Sequence, residues 1–195
     1  QRNPSFNIEY ESPATWYEHT PEGVAEASAT AYFFAKKLYE TLNIPIGIIN
    51  VSWGGSTIQA WMSKELIDKE FAGCFKMDAY QTKQMPKNPH QTVGMLYNGM
   101  LKPLVPFTAK GVIWYQGCSN RMQYELYKKL QPAFVEMLRK EWGNEKLPFY
   151  FTQIAPYKYD DADKPHGGYM MWAQAQTLET IPYSGMATTH DAGEL

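Results

Sequence analysis

The stretch Gly111-Val112-Ile113-Trp114-Tyr115-Gln116-Gly117-Cys118-Ser119-Asn120 joins a short apolar run to a polar loop that contains glycine. The run predicts a buried strand over 111–115, and the pattern of 122–142 after the loop predicts a helix. The same alternation recurs along the chain, with further predicted strands at 44–52, 148–154 and 185–189 and predicted helices at 24–42, 63–71, 93–100 and 169–180. Alternating strands and helices predict an α/β fold with a mostly parallel, doubly wound sheet and right-handed crossovers.

The composition excludes several classes of protein. The chain has 195 residues, with 18 Lys and Arg against 20 Asp and Glu, so no basic excess is present to bind a nucleic-acid backbone. Hydrophobic residues make up 44% and aromatic residues 15%, which is too apolar for a disordered chain. The longest apolar stretch, 44–51, is interrupted by Asn50 and is shorter than the ~20 residues that a membrane span needs. Two cysteines cannot form a disulfide framework or a four-cysteine zinc site.

The two ends of the chain predict a fold that is incomplete on both sides. Residues 1–23 are polar with three prolines and predict an irregular lead-in, and the domain is predicted over 24–195. The chain begins with Gln1 and ends shortly after a predicted strand. We therefore expect an exposed sheet edge, which either a complementing segment of the same parent protein covers or trimming of the folded chain has produced.

Functional residues are expected at the carboxyl ends of the predicted strands, where open α/β sheets bind their ligands. The four strand exits are Trp53-Gly54-Gly55-Ser56, Gln116-Gly117-Cys118-Ser119-Asn120, Ala155-Pro156-Tyr157 and His190-Asp191-Ala192-Gly193. Paired glycines allow a sharp turn with N–H groups that can donate to a developing oxyanion, although a turn without chemistry gives the same pattern. The amide of Asn120 can donate to an oxyanion or cap the next helix, and both roles can hold at once.

Two other candidates at these exits have weaker support. Cys118 lies near a helix start, which lowers the pKa of a thiol, but no cysteine-hydrolase signature surrounds it. A partly buried thiol is therefore the preferred interpretation of Cys118. His190 and Asp191 are neighbours on a predicted strand, so their side chains point to opposite faces and make poor partners. No metal-binding or phosphate-binding motif and no Gly-x-Ser-x-Gly elbow occurs in the chain.

Several ordered motifs resemble the sialate O-acetylesterase family. They are 44–61, which includes the paired glycines, Leu96-Tyr97-Asn98-Gly99-Met100, the stretch 111–120, the stretch 147–157 and Trp172-Ala173-Gln174-Ala175-Gln176. Because the motifs keep their order from about Trp16 to the end, the resemblance covers most of the chain.

The resemblance implies a fold, an activity and a set of site residues. The family belongs to the SGNH/GDSL hydrolase superfamily, with a flavodoxin-like three-layer α/β/α fold, and hydrolyses O-acetyl esters on sialic acids or related sugars and glycans without a cofactor. By the family pattern, Gly55 and Asn120 are the oxyanion-hole residues, and Asp191 at the last strand exit is a further catalytic candidate. The substrate-binding candidates are Trp53, Gly54, Gln116 and Tyr157. Bacterial relatives are commonly exported, which implies a periplasmic or secreted protein.

The sequence departs from the family pattern at the positions that carry the chemistry. These 195 residues contain neither the Gly-Gln-Ser-Asn motif of the nucleophile nor an Asp-x-His or Asp-x-x-His motif of the base after Asp191, and Cys118 stands where the family usually has Glu. We therefore expect an esterase as the parent protein and almost no activity from this chain alone. The alternatives are an inactive carbohydrate-binding fragment of the same fold, a thiol-dependent hydrolase that uses Cys118, and a xylan acetylesterase or arylesterase on the same scaffold.

Overall fold

Three parallel strands form one sheet in the computed structural model, which describes residues 2–12, 14–25, 27–157 and 165–191. The strands are β1 (Val112–Trp114), β2 (Phe149–Thr152) and β3 (Ser184–Ala187), in the order β1-β2-β3. These strands confirm the α/β class and three of the four predicted strand positions, with shorter bounds.

Helices connect and flank the strands. The α-helices of the described residues are α1 (Pro21–Ala25), α2 (Ala29–Leu42), α3 (Lys64–Glu70), α4 (Asp78–Thr82), α5 (Tyr124–Glu141) and α6 (His166–Thr177). Short 3-10 helices span Ile58–Trp61, Pro89–Gln91, Lys102–Leu104 and Cys118–Gln123, and a π-helix spans Tyr97–Leu101. None of the described helices is both long and apolar enough to cross a bilayer.

One face of the sheet holds an aromatic core. The rings of Trp114 and Phe134 lie 4.6 Å apart between centroids, and Phe149 contacts both rings at 6.3–6.4 Å. Ile113 and Tyr150, which pair in register and point to the opposite face, are 42% and 50% exposed. The strands are therefore buried on one face, whereas the continuous apolar runs predicted burial on both.

The predicted strand at 44–52 is wrong. Within the described residues this segment forms no backbone ladder, and Ile44, Ile48 and Ile49 are 37–50% exposed. A β-branched run favours a strand only when a neighbouring strand pairs with its backbone N–H and C=O groups. No described residue supplies that pairing.

Local capping signals set the ends of several helices. The hydroxyl groups of Ser28 and Ser63 each accept a hydrogen bond from the backbone N–H three positions later in the chain. Helices α2 and α3 therefore begin directly after these serines. The cap at Ser63 was predicted, whereas α2 begins later than the predicted residue 24. α5 continues through Pro132, and the left-handed Gly143 (φ +59°) follows its end.

Residues 3–9 lie along the π-helix Tyr97–Leu101, which overlaps the helix predicted at 93–100. Asn98 Nδ2 donates hydrogen bonds to two backbone carbonyls of this N-terminal segment, at 2.9 and 3.2 Å. A Cβ atom on Gly99 would lie 1.9 Å from the carbonyl oxygen of Asn3. Only glycine at this position lets the two backbones approach so closely.

The chain divides into two compact units. One unit, Pro13–Ser52, contains α1 and α2. The other unit consists of Arg2–Ser12 and Trp53–Leu195 and contains the sheet, α3 to α6 and the residues of the candidate site.

Candidate active site

The paired glycines Gly54 and Gly55 form an exposed turn before the 3-10 helix Ile58–Trp61. Gly55 has a φ of +76°, which residues other than glycine rarely adopt. Within the described residues, the backbone N–H of neither glycine donates to a protein acceptor. The turn therefore keeps two backbone donors available at the surface.

The carbonyl groups of this turn are held firmly. The Gly55 carbonyl oxygen accepts from Ser119 Oγ at 2.9 Å and from Gln91 Nε2 at 3.2 Å. The Ser56 carbonyl oxygen accepts from Gln116 Nε2 at 3.0 Å. Donors from two other loops therefore hold the two peptide planes that follow the paired glycines. The Trp53 carbonyl accepts from the Ser56 N–H at 3.2 Å, which holds the peptide plane that carries the Gly54 N–H.

Asn120 joins the exit of β1 to the 3-10 helix after the glycine turn. Its side chain is completely buried, and its Oδ1 accepts from the backbone N–H of Ile58 at 2.9 Å and from Gln116 Nε2 at 2.8 Å. Its Nδ2 donates to Gln59 Oε1 at 3.0 Å and to Gln123 Oε1 at 3.2 Å. The N–H of Ile58 fixes which side of the amide is oxygen, since a backbone N–H can only donate.

The structure brings the two predicted oxyanion loops together. Gln116 and Ser119, from the loop of Asn120, hold the carbonyls of the glycine turn. The amide hydrogens of Asn120, however, are donated inward to two glutamines. The oxyanion roles of Gly55 and Asn120 stay predictions.

The predicted capping role of Asn120 is wrong. Asn120 lies inside the 3-10 helix Cys118–Gln123, whose N-cap is Gly117, and α5 begins only at Tyr124. A 3-10 turn between the loop and α5 moves the true helix start beyond the reach of the Asn120 side chain.

The other predicted site residues lie apart from this hydrogen-bonded group or at its rim. Tyr157 follows β2 and is 74% exposed. Asp191 is exposed beyond β3, and within the described residues it makes no hydrogen bond to the glycine turn or to Asn120. Cys118 is exposed, so the interpretation as a partly buried thiol is wrong.

Residues 89–92 contact the glycine turn, although the sequence predicts the polar segment 73–92 to be a surface excursion outside the site. The His90 ring stacks on the predicted substrate-binding Trp53, with centroids 5.4 Å apart and planes at 15°. The His90 carbonyl accepts from the backbone N–H of Thr57 at 3.1 Å, and Gln91 holds Gly55 as described above. These are contacts between distant loops, which periodicity and spacing do not reveal.

Tyr127 supports the site from beneath. Its hydroxyl lies 3.1 Å from Gln116 Oε1 and 3.2 Å from the Gln116 carbonyl oxygen, to which it donates. Gln174 Nε2 donates to the same carbonyl at 3.1 Å. Burial raises the pKa of the Tyr127 hydroxyl above its ordinary value, so the hydroxyl keeps its proton for this contact.

We expect Tyr127 to ionise only when the protein unfolds at high pH. Burial likewise raises the pKa of Tyr80, from 10.0 to about 12. Because these pKa values are higher in the folded than in the unfolded chain, the stability that they contribute is complete below pH 10 and is lost as the pH rises through the folded values. An alkaline titration of tyrosinate absorbance, followed together with circular dichroism, should show late ionisation that accompanies unfolding.

The variant Tyr127→Phe is the control for this titration. It should remove one late-ionising group while the remaining tyrosines titrate as before. Complete ionisation of every tyrosine near pH 10, with the circular dichroism of the folded protein retained, would contradict the expectation.

The described residues offer no evident metal site. No group of three or more His, Cys, Asp or Glu side chains lies close enough among them to hold a metal ion.

Residues 9–194 match the model of a protein family described as carbohydrate esterase, sialic acid-specific acetylesterase. The chain is 35% identical to the sialate O-acetylesterase of Homo sapiens over 187 residues, which cover 89% of this chain and 35% of that protein. It is 27% identical to the sialate O-acetylesterase of Rattus norvegicus, covering 83% of this chain and 36% of the relative. The chain thus spans about a third of the length of these curated relatives.

A solved structure gives a match of the same kind. The crystal structure of a carbohydrate acetylesterase from Xanthomonas citri has 32% sequence identity and a TM-score of 0.86. The match covers all of this chain (100%) and 42% of that chain.

Proposed function

Because the chain belongs to the family of sialic acid-specific acetylesterases, we propose that it forms part of an enzyme that hydrolyses acetyl esters on sialic acids or related sugars. The observation that carries the proposal is the glycine turn. Its carbonyls are held by Ser119, Gln91 and Gln116, while the N–H groups of Gly54 and Gly55 have no protein acceptor within the described residues. Backbone donors that no protein acceptor occupies are what a developing oxyanion requires.

In the proposed reaction a serine hydroxyl attacks the acetyl carbonyl, whose oxygen becomes negatively charged. The Gly55 N–H donates to this oxyanion, and Asn120 Nδ2 joins it by exchanging its longer bond, 3.2 Å to Gln123, for the oxyanion. A histidine takes the serine proton and passes it to the departing sugar oxygen, and water then hydrolyses the acetyl-enzyme. We place the serine and the histidine outside the 195 residues, since these contain neither family motif.

The proposal also covers the arrangement of the fold in layers and the surface that binds the sugar. The three-layer flavodoxin-like arrangement is supported by the parallel strand order, with α5 between β1 and β2 and α6 between β2 and β3. Trp53, at the edge of the turn, and the exposed Tyr157 offer aromatic faces on which a sugar ring can stack. Asp191 remains a proposed catalytic residue.

Acetate release from O-acetylated sialic acid tests the proposed activity. The protein at its full natural length should release acetate from this substrate faster than from acetylated xylan or aryl acetates. The 195-residue chain alone should stay near background with p-nitrophenyl acetate. Absence of acetate release by the full-length protein would refute the activity, and strong turnover by the chain alone, blocked by a serine-directed reagent, would refute the placement of the nucleophile.

The exposed Cys118 allows the thiol alternative to be tested separately. The variant Cys118→Ser in the full-length protein should hydrolyse O-acetylated sialic acid at the normal rate. Loss of activity in that variant would favour the thiol-dependent hydrolase instead.

A further inference from the structure

The guanidinium of Arg2 lies beside the glycine turn, held by an aromatic ring. The Arg2 Cζ atom is 5.0 Å from the ring centroid of Trp53, the residue directly before the paired glycines. Trp53 stacks with His90, and a Cβ atom on Gly55 would lie 3.6 Å from His90 Nε2. The His90 ring therefore lies next to the glycine turn, and two ring contacts connect it through Trp53 to Arg2.

The backbone next to Arg2 is fastened. Asn3 Nδ2 donates to the Gly99 carbonyl at 3.3 Å, and the Ser5 N–H donates to the Met95 carbonyl at 3.1 Å. The backbone that follows Arg2 is held by hydrogen bonds, and the guanidinium of Arg2 contacts an indole ring. The side chain has therefore lost part of its conformational freedom before a ligand binds.

The charge of Arg2 is not matched within the described residues. Other cations are paired there, for example Lys102 with Glu141 and Lys128 with Glu125. Arg2 is exposed and has no carboxylate within ion-pair distance among the described residues, although acidic residues outnumber basic ones in the chain. A partly restrained cation at the rim of a site, with no carboxylate partner among the described residues, is suited to an anionic ligand.

The chemistry of the proposed substrate supplies that anion. A sialic acid carries a carboxylate, whereas the sugars of xylan are neutral, and guanidinium binds carboxylate through two parallel hydrogen bonds. We propose that Arg2 binds the carboxylate of the acetylated sugar while the sugar lies near Trp53, and that this contact makes the site prefer acidic over neutral sugars. The inference rests on the proposed function and specifies its substrate class.

A matched pair of substrates tests the inference. These are an O-acetylated N-acetylneuraminic acid and its methyl ester, in which a methyl group removes the charge of the carboxyl group; the release of acetate, and not of methanol, is followed for both. In the full-length protein, Arg2→Gln should lower kcat/KM about tenfold for the acid, mainly through KM, and leave the methyl ester almost unchanged. Arg2→Lys should restore part of the loss, since it keeps the charge without the fork of donors.

The control is Lys87→Gln, which removes the same charge from another exposed position of the same unit. This variant should treat both substrates as the unmodified protein does. An equal loss on acid and ester in Arg2→Gln, or no loss on either, would overturn the inference.

A binding experiment separates this inference from the proposed activity. N-acetylneuraminic acid, which has no ester to hydrolyse, is titrated into the unmodified protein and into Arg2→Gln and followed by NMR. Weaker binding by the variant supports the carboxylate contact even if no acetate is ever released, in which case only the proposed activity fails. Equal binding by both proteins, or no binding by either, refutes the contact whatever the activity.

Discussion

Replacing Asn120 by alanine is expected to lower the free energy of unfolding by about 3–5 kcal/mol. The side chain is completely buried and makes four hydrogen bonds. Alanine would leave the N–H of Ile58 without an acceptor and the Oε1 atoms of Gln59 and Gln123 without a donor. Each buried group that loses its partner costs about 1–3 kcal/mol, so the losses add to a large effect even after the glutamines rearrange. Urea denaturation of the chain measures it.

Two further variants define this prediction. Asn144→Ala is the matched control, because Asn144 is exposed and, among the described residues, its side chain accepts a single hydrogen bond, from the Lys146 N–H. We expect a change within about 0.5 kcal/mol for this variant. Asn120→Asp keeps the acceptor for Ile58, and the amides of Gln59 and Gln123 can turn to donate to the carboxylate. It should therefore fold, yet lower the full-length enzyme's kcat by about 10²–10³-fold because the donor to the oxyanion is lost. Equal stability of the Asn120→Ala and Asn144→Ala variants would contradict the structural role.

Replacing Gly117 by alanine is expected to cost about 2–4 kcal/mol in the free energy of unfolding. The Cβ atom would lie 2.7 Å from Ile154 Cγ2 and 3.1 Å from Gln174 Nε2, and the φ of +154° is one that residues with a side chain rarely adopt. Gln174 would have to give up its hydrogen bond to the Gln116 carbonyl, which loosens the loop that holds the glycine turn. Urea denaturation measures the loss.

Gly168→Ala is the matched control for this substitution. Gly168 lies in α6, and a Cβ atom there has nothing within 4 Å and no left-handed φ. Alanine should therefore raise the free energy of unfolding by about 0.5 kcal/mol, since it favours the helix more than glycine does. Destabilisation of the same size at both glycines would show that the crowding at Gly117 has no special effect.

Local signals made much of the fold predictable from the sequence. The apolar runs before the polar exit loops gave the positions of β1, β2 and β3, and Ser63 gave the start of α3. These features depend on a few consecutive residues, whose side chains and backbone decide the structure together.

Features that depend on distant partners were not predictable. The segment 44–52 has strand composition but no described strand beside it, and composition alone cannot supply a partner. At the site, the sequence predicted that the glycine turn and Asn120 act together. The hydrogen bonds of Gln91 to Gly55 and of Asn120 to Gln59, however, join residues that are 36 and 61 positions apart in the chain. The inward direction of the Asn120 amide follows from those bonds, and no motif encodes it.

The absence of a side chain at Gly99 has a consequence for reading mutational screens. A residue there that carries even one methyl group has to push the N-terminal backbone off the π-helix, because the carbonyl of Asn3 already occupies the space. A screen for stability would classify such a variant as a packing defect outside the glycine turn and the loop of Asn120. If Arg2 selects acidic sugars, however, the same variant would also blur substrate choice, so residue 99 would influence selectivity without ever meeting the sugar.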